Sequence, residues 1–461
     1  MAGVAEEPTP TLAVRLAATD NVATLLSPAR AGTAVSVRET GSGDRLPDPV
    51  TATIDLAAGH KIALGAIPAG AAIVKYGLPI GRATADIAAG AHVHVHNTRS
   101  AMSPAALRTP GAVPRPHRVP VAAFRRVVQD CLEASAVPAA AARDMTDALT
   151  EAHLRGVETH GVRRLAPYLD RIRAGGVDPL AEPRIETQGP LLRVDGRAGI
   201  GHHVAGVAAD HTAHAATESG LAAALVRNSS HFGFAGYYAT RIAAWGMVAL
   251  VVSNGQVLVG PEGARAALFS NNPFAIAAPL PDGTFFEFDM ATSVTSRARL
   301  VQASERGDPI PEGLALDAAG HPTTDAAEAA AGILLPLAGA KGLPLIAALE
   351  LLAGVLGGGP YADQVASKED DPAAPEGTGH FLLAIDLDSA LGSRAFAERL
   401  ADLVHRIETL PMRPGAEPPR YPGARRWRLR AERMANGIPL TSAETDQIKT
   451  LSRRLGIESW A

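Results

Sequence analysis

His160 and Arg164 stand four residues apart in the stretch VETHGVRRL, residues 157–165, beside a glycine. On a helix, residues i and i+4 share a face, so both side chains would address one ligand. Imidazole exchanges a proton near neutral pH, its ordinary pKa being about 6.5. Guanidinium is a planar fork that pairs with a carboxylate through two hydrogen bonds. The pair suits proton transfer to a substrate that carries a carboxylate, and Gly161 would leave room for a ligand near the backbone. The same spacing also fits a solvated helix start with incidental polar residues.

A second candidate is RNSSHFGFAGYY, Arg227 to Tyr238. A strand is expected to end at Asn228 and a helix to begin after Gly233. His231 then sits at the carboxyl end of a strand, where α/β sheets bind ligands, beside the unpaired N–H groups of a helix start, which favour negative charge. The alternative is a capping turn with Ser229 or Ser230 as the cap. Lys341 and Gly342, in LAGAKGLPL, are expected at another helix start and could meet a phosphate, or could form a solvated loop. Asp289 to Ser293 (DMATS) should close a strand. No G-x-G-x-x-G follows a strand: GSGDRL at Gly41 lacks the third glycine, and GVLGGGPY at Gly354 follows a helix. Any dinucleotide must be held without that fingerprint.

His92, His94 and His96 alternate in AHVHVHN. On a strand all three would face one side, about 6.5–7 Å apart, so two of them could share an ion without distortion. The other reading is a polar strand face at a domain contact.

These residues need elements to place them. Residues 1–97 look β-rich, with short apolar runs between Gly and Pro turns, the pattern of a small barrel-like domain. Residues 98–115, with Pro104, Pro110 and Pro114, read as an extended linker. From 116 onward two helices are expected, then a third from Thr159 to the breakers Gly175 and Gly176. Beyond residue 189 strands and helices alternate: strands at LAAALVRN, MVALVVSN, ALFSNNPFAIAAPL, TFFEFDM and HFLLAIDL, and helices at GFAGYYATRIAAWG, GLPLIAALELLAGVL (expected to be buried) and RAFAERLADLVHRIETL. Thr441 to Glu444 has capping-box spacing and should open a last helix. The segment GGGPYADQVASKEDDPAAPEGTG reads as a long surface loop.

The 461 residues suggest two or three domains, and 47% hydrophobic residues suffice for a sizeable core. A net charge of −4 gives no electrostatic case for nucleic acid or a membrane surface. Cys131 is the only cysteine, which excludes an internal disulfide and a thiolate-rich metal site; its apolar helical surroundings point to a buried thiol. MAGVAEEPTP has neither the basic start nor the apolar run of a signal peptide, and no stretch approaches about 20 apolar residues. A soluble, cytoplasmic protein is expected.

From residue 116 to the end, the sequence resembles the malate/L-lactate dehydrogenase family. The matching elements are Thr159-His160-Gly161-Val162-Arg163-Arg164, Asn228 to Tyr238, Ser270-Asn271-Asn272-Pro273, Asp289 to Ser293, AGAKG around Lys341, and Pro422-Gly423. The resemblance implies a non-Rossmann α/β fold with a helical N-terminal part. It implies NAD- or NADP-dependent interconversion of 2-hydroxy and 2-oxo acids, and a homodimer with active sites near the subunit interface. By the same resemblance His231 and His160 handle the proton and Arg164 holds the substrate carboxylate. Of the two histidines His231 is favoured as the main acid/base, with His160 as a substrate contact or the alternate proton donor. Asp289, Met290, Ala291, Thr292, Ser293, Lys341, Gly342, Gly423, Ala424 and Arg425 line the cofactor. Ser270, Asn271 and Arg297-Ala298-Arg299 depart from the family pattern near the cofactor, which leaves NADH and NADPH both open. Residues 11–98 (GHKIAL, IPAGAAIVKYG, IGRATADI, HVHVHN) resemble the small SAF-type domain of altronate dehydratase and of the sulfolactate sulfo-lyase small subunit. A dehydratase or lyase large subunit is the partner this second resemblance implies. An accessory role for the chain, through that domain, is the rival reading.

Overall fold

The computed structural model describes residues 11–39, 45–75, 78–94, 96–100, 117–367, 370–413 and 416–460. Residues 41–44 of the GSGDRL stretch and most of the proline-rich segment lie outside them. The chain divides into two units, Met1–Pro114 and Arg115–Ala461.

The first unit is built of strands: β1 (Thr11–Arg15), β2 (Val22–Leu25), β3 (Ala34–Glu39), β4 (Val50–Thr51), β5 (Lys61–Ala63), β6 (Ala72–Lys75), β7 (Leu78–Ala83), β8 (His92–Val93) and β9 (Thr98–Ser100). They form a six-stranded sheet, β4-β3-β1-β2-β5-β8, and a three-stranded one, β6-β7-β9. Small aliphatic side chains such as Ala13, Val35, Ile62 and Ile73 fill the interior. The turns are tight. At Gly90, φ is +77° and a Cβ would lie 1.8 Å from the Thr51 carbonyl oxygen, so only glycine fits. Thr98–Ser100, expected in the linker, instead pair with β7.

The three alternating histidines do not share one strand face. Strand β8 stops at Val93 because Asn97 folds the chain back: its Oδ1 accepts the His94 N–H (3.0 Å) and its Nδ2 donates to the His92 carbonyl (2.8 Å). His92, His94 and His96 gather with His60 instead, and His92 Nε2 lies 2.8 Å from His60 Nδ1. Burial and the neighbouring imidazoles push His92 down to about 4. Among the described residues, no group of three or more histidine, cysteine or acidic side chains is arranged to hold a metal ion.

The second unit runs β10 (His117–Val119), α1 (Val121–Glu133), α2 (Ala139–Leu154), α3 (Leu165–Ala174), β11 (Arg184–Gln188), β12 (Leu191–Asp195), α4 (Gly201–Ser219), β13 (Leu221–Ser229), α5 (Ala235–Ala243), β14 (Met247–Ser253), β15 (Phe274–Pro279), β16 (Phe285–Met290), α6 (Arg297–Arg306), β17 (Ala315–Leu316), α7 (Ala326–Ala331), β18 (Ile333–Leu334), α8 (Gly342–Glu350), β19 (Thr378–Asp386), α9 (Leu387–Ala390), α10 (Ser393–Glu408), α11 (Ala424–Asn436), β20 (Ile438–Leu440) and α12 (Ser442–Leu455). Its central sheet has the order β11-β12-β13-β19-β14-β15-β16. Most neighbours are antiparallel, and β12 and β13 are parallel. This is a mixed sheet, unlike the parallel sheet of a doubly wound dinucleotide fold.

Helices α4 and α5 cover one face through alanine-rich surfaces, with Ala205, Ala208, Ala209, Ala235 and Ala239 fully buried. Small side chains let helix and sheet approach closely, which suits a chain with only 4% aromatic residues. Helices α1, α2, α3 and α12 form a separate core around Phe124, Leu149, Leu165 and Ile448, in which Cys131 is fully buried. Thr441 and Glu444 complete both halves of the expected capping box. GLPLIAALELLAGVL departs from expectation. Its inner face packs Leu349 and Ala353 on the sheet, but Leu351, Val355 and Leu356 are exposed. Among the described residues no helix is long and apolar enough to cross a membrane.

Three histidines of this unit, His153, His202 and His380, are at most 1% exposed. Desolvation holds them neutral, lowering His153 to about 4 and His202 and His380 to about 3. The unfolded chain takes up these protons near pH 6.5 and the folded chain does not, so their stabilising effect is complete above pH 6.5 and lost as pH falls. His203 runs the other way, raised by its hydrogen bond to Asp144, but it is one group against three. By pH 5 each neutral histidine costs on the order of 1–2 kcal/mol. We expect the melting temperature to drop by several degrees between pH 7 and pH 5 in a thermal denaturation series. A flat profile over that window would contradict the neutral assignment.

Candidate active site

His160 and Arg164 reach one cavity, but not from one helix. Residues Glu158–His160 and Val162–Arg164 form two 3₁₀ turns, and Gly161 between them is extended, at φ −90° and ψ −151°. The break has a local cause. The Val162 N–H donates to His153 Nε2 at 3.0 Å, and the His153 ring fills the space beside Gly161, where a Cβ would lie 2.4 Å from Nε2. The glycine therefore makes room for His153 rather than for a ligand. Helix α3 starts only at Leu165 and stops at Gly175, whose φ is +89°.

His231 comes from the loop between β13 and α5. The His160 and His231 rings are parallel, at an interplanar angle of 8°, with centroids 5.8 Å apart. The Arg164 Nε donates to the Thr159 carbonyl at 3.1 Å, which fixes the guanidinium at the cavity wall. Neither Ser229 nor Ser230 caps α5. The Ser230 hydroxyl accepts the Gly201 N–H at the start of α4, and Ser229 faces His380 Nε2 at 2.9 Å.

Two donors address His231 Nδ1: the Gly233 N–H at 3.3 Å and the Tyr168 hydroxyl at 2.6 Å. A backbone N–H can only donate, so the neutral ring carries its proton on Nε2. Burial pushes the Tyr168 hydroxyl well above its ordinary range, which keeps it a donor. The Glu376 carboxylate accepts the His231 N–H at 2.9 Å and is paired with Arg171 at 2.6 Å. His160 Nδ1 lies 3.0 Å from the Thr159 hydroxyl, a group that can donate or accept.

The cavity, about 290 Å³, lies near the lower bound of small-molecule sites, which run from roughly 300 to 1,000 Å³. His160, Arg164, His231, Asp289, Met290 and Ala291 line it together. Thr292 and Ser293 are buried behind it: Thr292 donates both its N–H and its hydroxyl to the Asn271 carbonyl, and Ser293 donates to the Thr295 carbonyl. Lys341, exposed at the end of a 3₁₀ turn, does not line the cavity, and neither does Gly342, packed against the Leu337 carbonyl. Gly423, Ala424 and Arg425 also stay outside its lining. Arg425 is exposed, and its neighbour Arg426 takes the cavity position, donating to Asp289 at 2.8 Å and to Glu287 at 2.7 Å. Arg426, Arg430 and Arg433 repeat at helical spacing along α11. The latter two grip Glu151 and Glu158, so α11 is clamped to the end of α2. That periodicity was the available signal for Arg426. Tyr168 could have been read from its spacing of four from Arg164. Glu376 sits in an irregular loop and left no local signal.

The start of α5 (Phe234 and Ala235) and that of α6 (Ser296, Arg297 and Ala298) both line the cavity, and neither has an acidic residue in its first turn. The start of α5 lies against the Glu287 and Asp289 carboxylates, which Arg426 balances, so of the two it is the start of α6 that suits an anionic group of a dinucleotide held without a glycine fingerprint.

Residues 119–449 match the malate/L-lactate dehydrogenase family, and residues 11–101 match the altronate/galactarate dehydratase SAF domain. The chain is 32% identical to a malate dehydrogenase of Pyrococcus horikoshii over 70% of its own length and 91% of the relative's. It is 34% identical to a (2R)-3-sulfolactate dehydrogenase (NADP(+)) of Chromohalobacter salexigens, over 69% and 93%. A Delta(1)-pyrroline-2-carboxylate/Delta(1)-piperideine-2-carboxylate reductase of Pseudomonas putida is 32% identical over 72% and 96%. Among solved structures, the malate dehydrogenase of P. horikoshii superposes with a TM-score of 0.69 at 30% identity, covering 76% of this chain and 99% of that one. The sulfolactate dehydrogenase of Methanocaldococcus jannaschii gives 0.68 at 28%, covering 74% and 98%. These matches favour an oxidoreductase over the accessory reading. The chain belongs to the malate/L-lactate dehydrogenase family and carries an altronate/galactarate dehydratase SAF domain at its N-terminal end.

Proposed function

We propose that this protein interconverts a 2-oxo acid and the corresponding 2-hydroxy acid with NAD or NADP, using the cavity between His160, His231 and Arg164. The carrying observation is the parallel pair of imidazoles beside a fixed guanidinium. Arg164 takes the substrate carboxylate in its fork and so sets the position of the neighbouring carbonyl. A bound nicotinamide supplies the hydride for the carbonyl carbon. His231 offers its Nε2 proton as a hydrogen bond to the oxygen, where negative charge develops. Its Nδ1 is already committed to donors, which disfavours a second proton on that ring. His160 keeps a partner in either protonation state, because the Thr159 hydroxyl can donate or accept. His160 is therefore the transferable proton's carrier and His231 the fixed donor. This inverts the ranking expected from sequence.

Relatives of this chain act on malate, on sulfolactate and on cyclic imino acids by their names. Oxaloacetate, sulfopyruvate and Δ1-piperideine-2-carboxylate are the substrates to try first, each with NADH and NADPH. Loss of nicotinamide absorbance is the expected result with at least one of the two oxo acids; turnover of neither would remove the reading, and turnover of the cyclic imine alone would point to an imine reductase instead. In the active pair, His160→Asn and His231→Asn should each slow reduction roughly 100-fold or more. Reduction by the wild type should fall as pH rises through the imidazole range. That limb should vanish in His160→Asn and survive in His231→Asn; the opposite pattern would return the proton-donor role to His231.

We also propose a homodimer, on the exposed apolar side chains Leu351, Val355 and Leu356. Light scattering on the purified chain should give twice the mass of 47.5 kDa. A monomer at micromolar concentration would refute the dimer.

A further inference from the structure

Two carboxylates line a cavity that must admit an anionic acid: Asp289, paired with Arg426, and Glu376, whose side chain is only 7% exposed. Left charged and alone it would repel the substrate and would be costly to bury. Arg171 answers both problems. Its Nη1 donates to Glu376 Oε1 at 2.6 Å, and its Nη2 donates to the Ala374 carbonyl at 2.8 Å and the Gly176 carbonyl at 3.2 Å. The other carboxylate oxygen, Oε2, accepts the His231 N–H at 2.9 Å and the Thr378 hydroxyl at 3.0 Å. Arg171 stands one helical turn beyond Tyr168 on α3, and Tyr168 holds the His231 ring at Nδ1. One helix thus grips His231 twice, once at the ring and once at the backbone through a carboxylate.

We propose that Glu376 and Arg171 form a charge-balanced positioning pair for His231. The carboxylate fixes the backbone from which the ring projects, and the guanidinium cancels the carboxylate's charge toward the substrate and both cavity imidazoles. The inference rests on the dehydrogenase reading above. It goes further in assigning the pair a role in proton transfer as well as in folding.

The two halves of a balanced pair must shift the cavity in opposite directions. In Glu376→Gln an uncompensated guanidinium remains, which disfavours an imidazolium nearby. The alkaline limb of 2-oxo acid reduction should then move to lower pH, by roughly half a pH unit or more. In Arg171→Met the bare carboxylate remains. The limb should move to higher pH by a similar amount, and KM for the oxo acid should rise severalfold while KM for the nicotinamide stays. Arg171→Lys keeps the charge and loses the planar fork. It should lower kcat a fewfold and leave the limb and the oxo-acid KM at their wild-type values.

The experiment is a pH series of steady-state kinetics on the full chain, with folding checked by circular dichroism. Opposite shifts, with lysine restoring the limb, support the pair. Unmoved limbs in folded Glu376→Gln and Arg171→Met variants, or shifts of the same sign, overturn it. If Arg171→Met does not fold, the direction of the Glu376→Gln shift decides. If neither folds, an Arg171→Lys limb displaced from wild type overturns the pair, and an unmoved limb with lowered kcat supports it. An inactive wild type would instead overturn the dehydrogenase reading, so the two failures are distinguishable.

Discussion

The Gly233 N–H that donates to His231 Nδ1 cannot reverse its role, and the chemistry of the cavity follows from that. An imidazole whose Nδ1 is held by a permanent donor is a fixed Nε2–H donor, suited to stabilising charge on an oxygen. In the proposed reaction, proton exchange falls to the second imidazole, whose neighbour is the reversible hydroxyl of Thr159. Two histidines 5.8 Å apart would thus take different duties from different neighbours. Tyr168 adds a second donor to the same nitrogen, and the Glu376–Arg171 pair keeps the backbone from drifting away from it.

Helix α3 organises these neighbours. Arg164 lies just before its first residue, and Tyr168 and Arg171 follow at spacings of four and three. One face therefore delivers the proposed substrate fork, the ring support and the carboxylate's partner. The helix is itself set by His153, which accepts the Val162 N–H and occupies the space beside Gly161. A side chain larger than hydrogen at position 161 would push against that ring and displace both His160 and Arg164. On the far wall, Arg426 joins α11 to β16 through Glu287 and Asp289, which keeps the Asp289–Ala291 segment against the cavity.

Much of this was legible in the sequence. The strands β13, β14, β15, β16 and β19 and the helices α5 and α10 follow from apolar periodicity and from their Gly and Pro boundaries. His160, Arg164 and His231 were found from residue type, spacing and their place at element ends. What escaped was nonlocal or off by one step of a helix. Glu376 approaches His231 across 145 residues of chain, through a loop with no periodicity. Arg426 replaced Arg425 because the helical phase of α11, not the neighbouring Pro-Gly, decides which arginine turns inward. Lys341 reads as a phosphate ligand because it precedes a helix; it is exposed and is not among the residues that line the cavity. The alternating histidines looked like a strand face because alternation is the strand signal. The Asn97 turn, which ends β8 after two residues, is set by side-chain hydrogen bonds that alternation does not register.

Hydride transfer to a carbonyl carbon next to a carboxylate is the central claim. The most direct measurement uses reduced nicotinamide carrying deuterium at both C4 positions, with the product hydroxy acid read by mass spectrometry and proton NMR. One deuterium at C2 of the product, with none exchanged into water, is the result this structure predicts. A product unlabelled at C2 would mean that the cavity performs some other reaction, and the roles assigned to His160, His231 and Arg164 would fall with it.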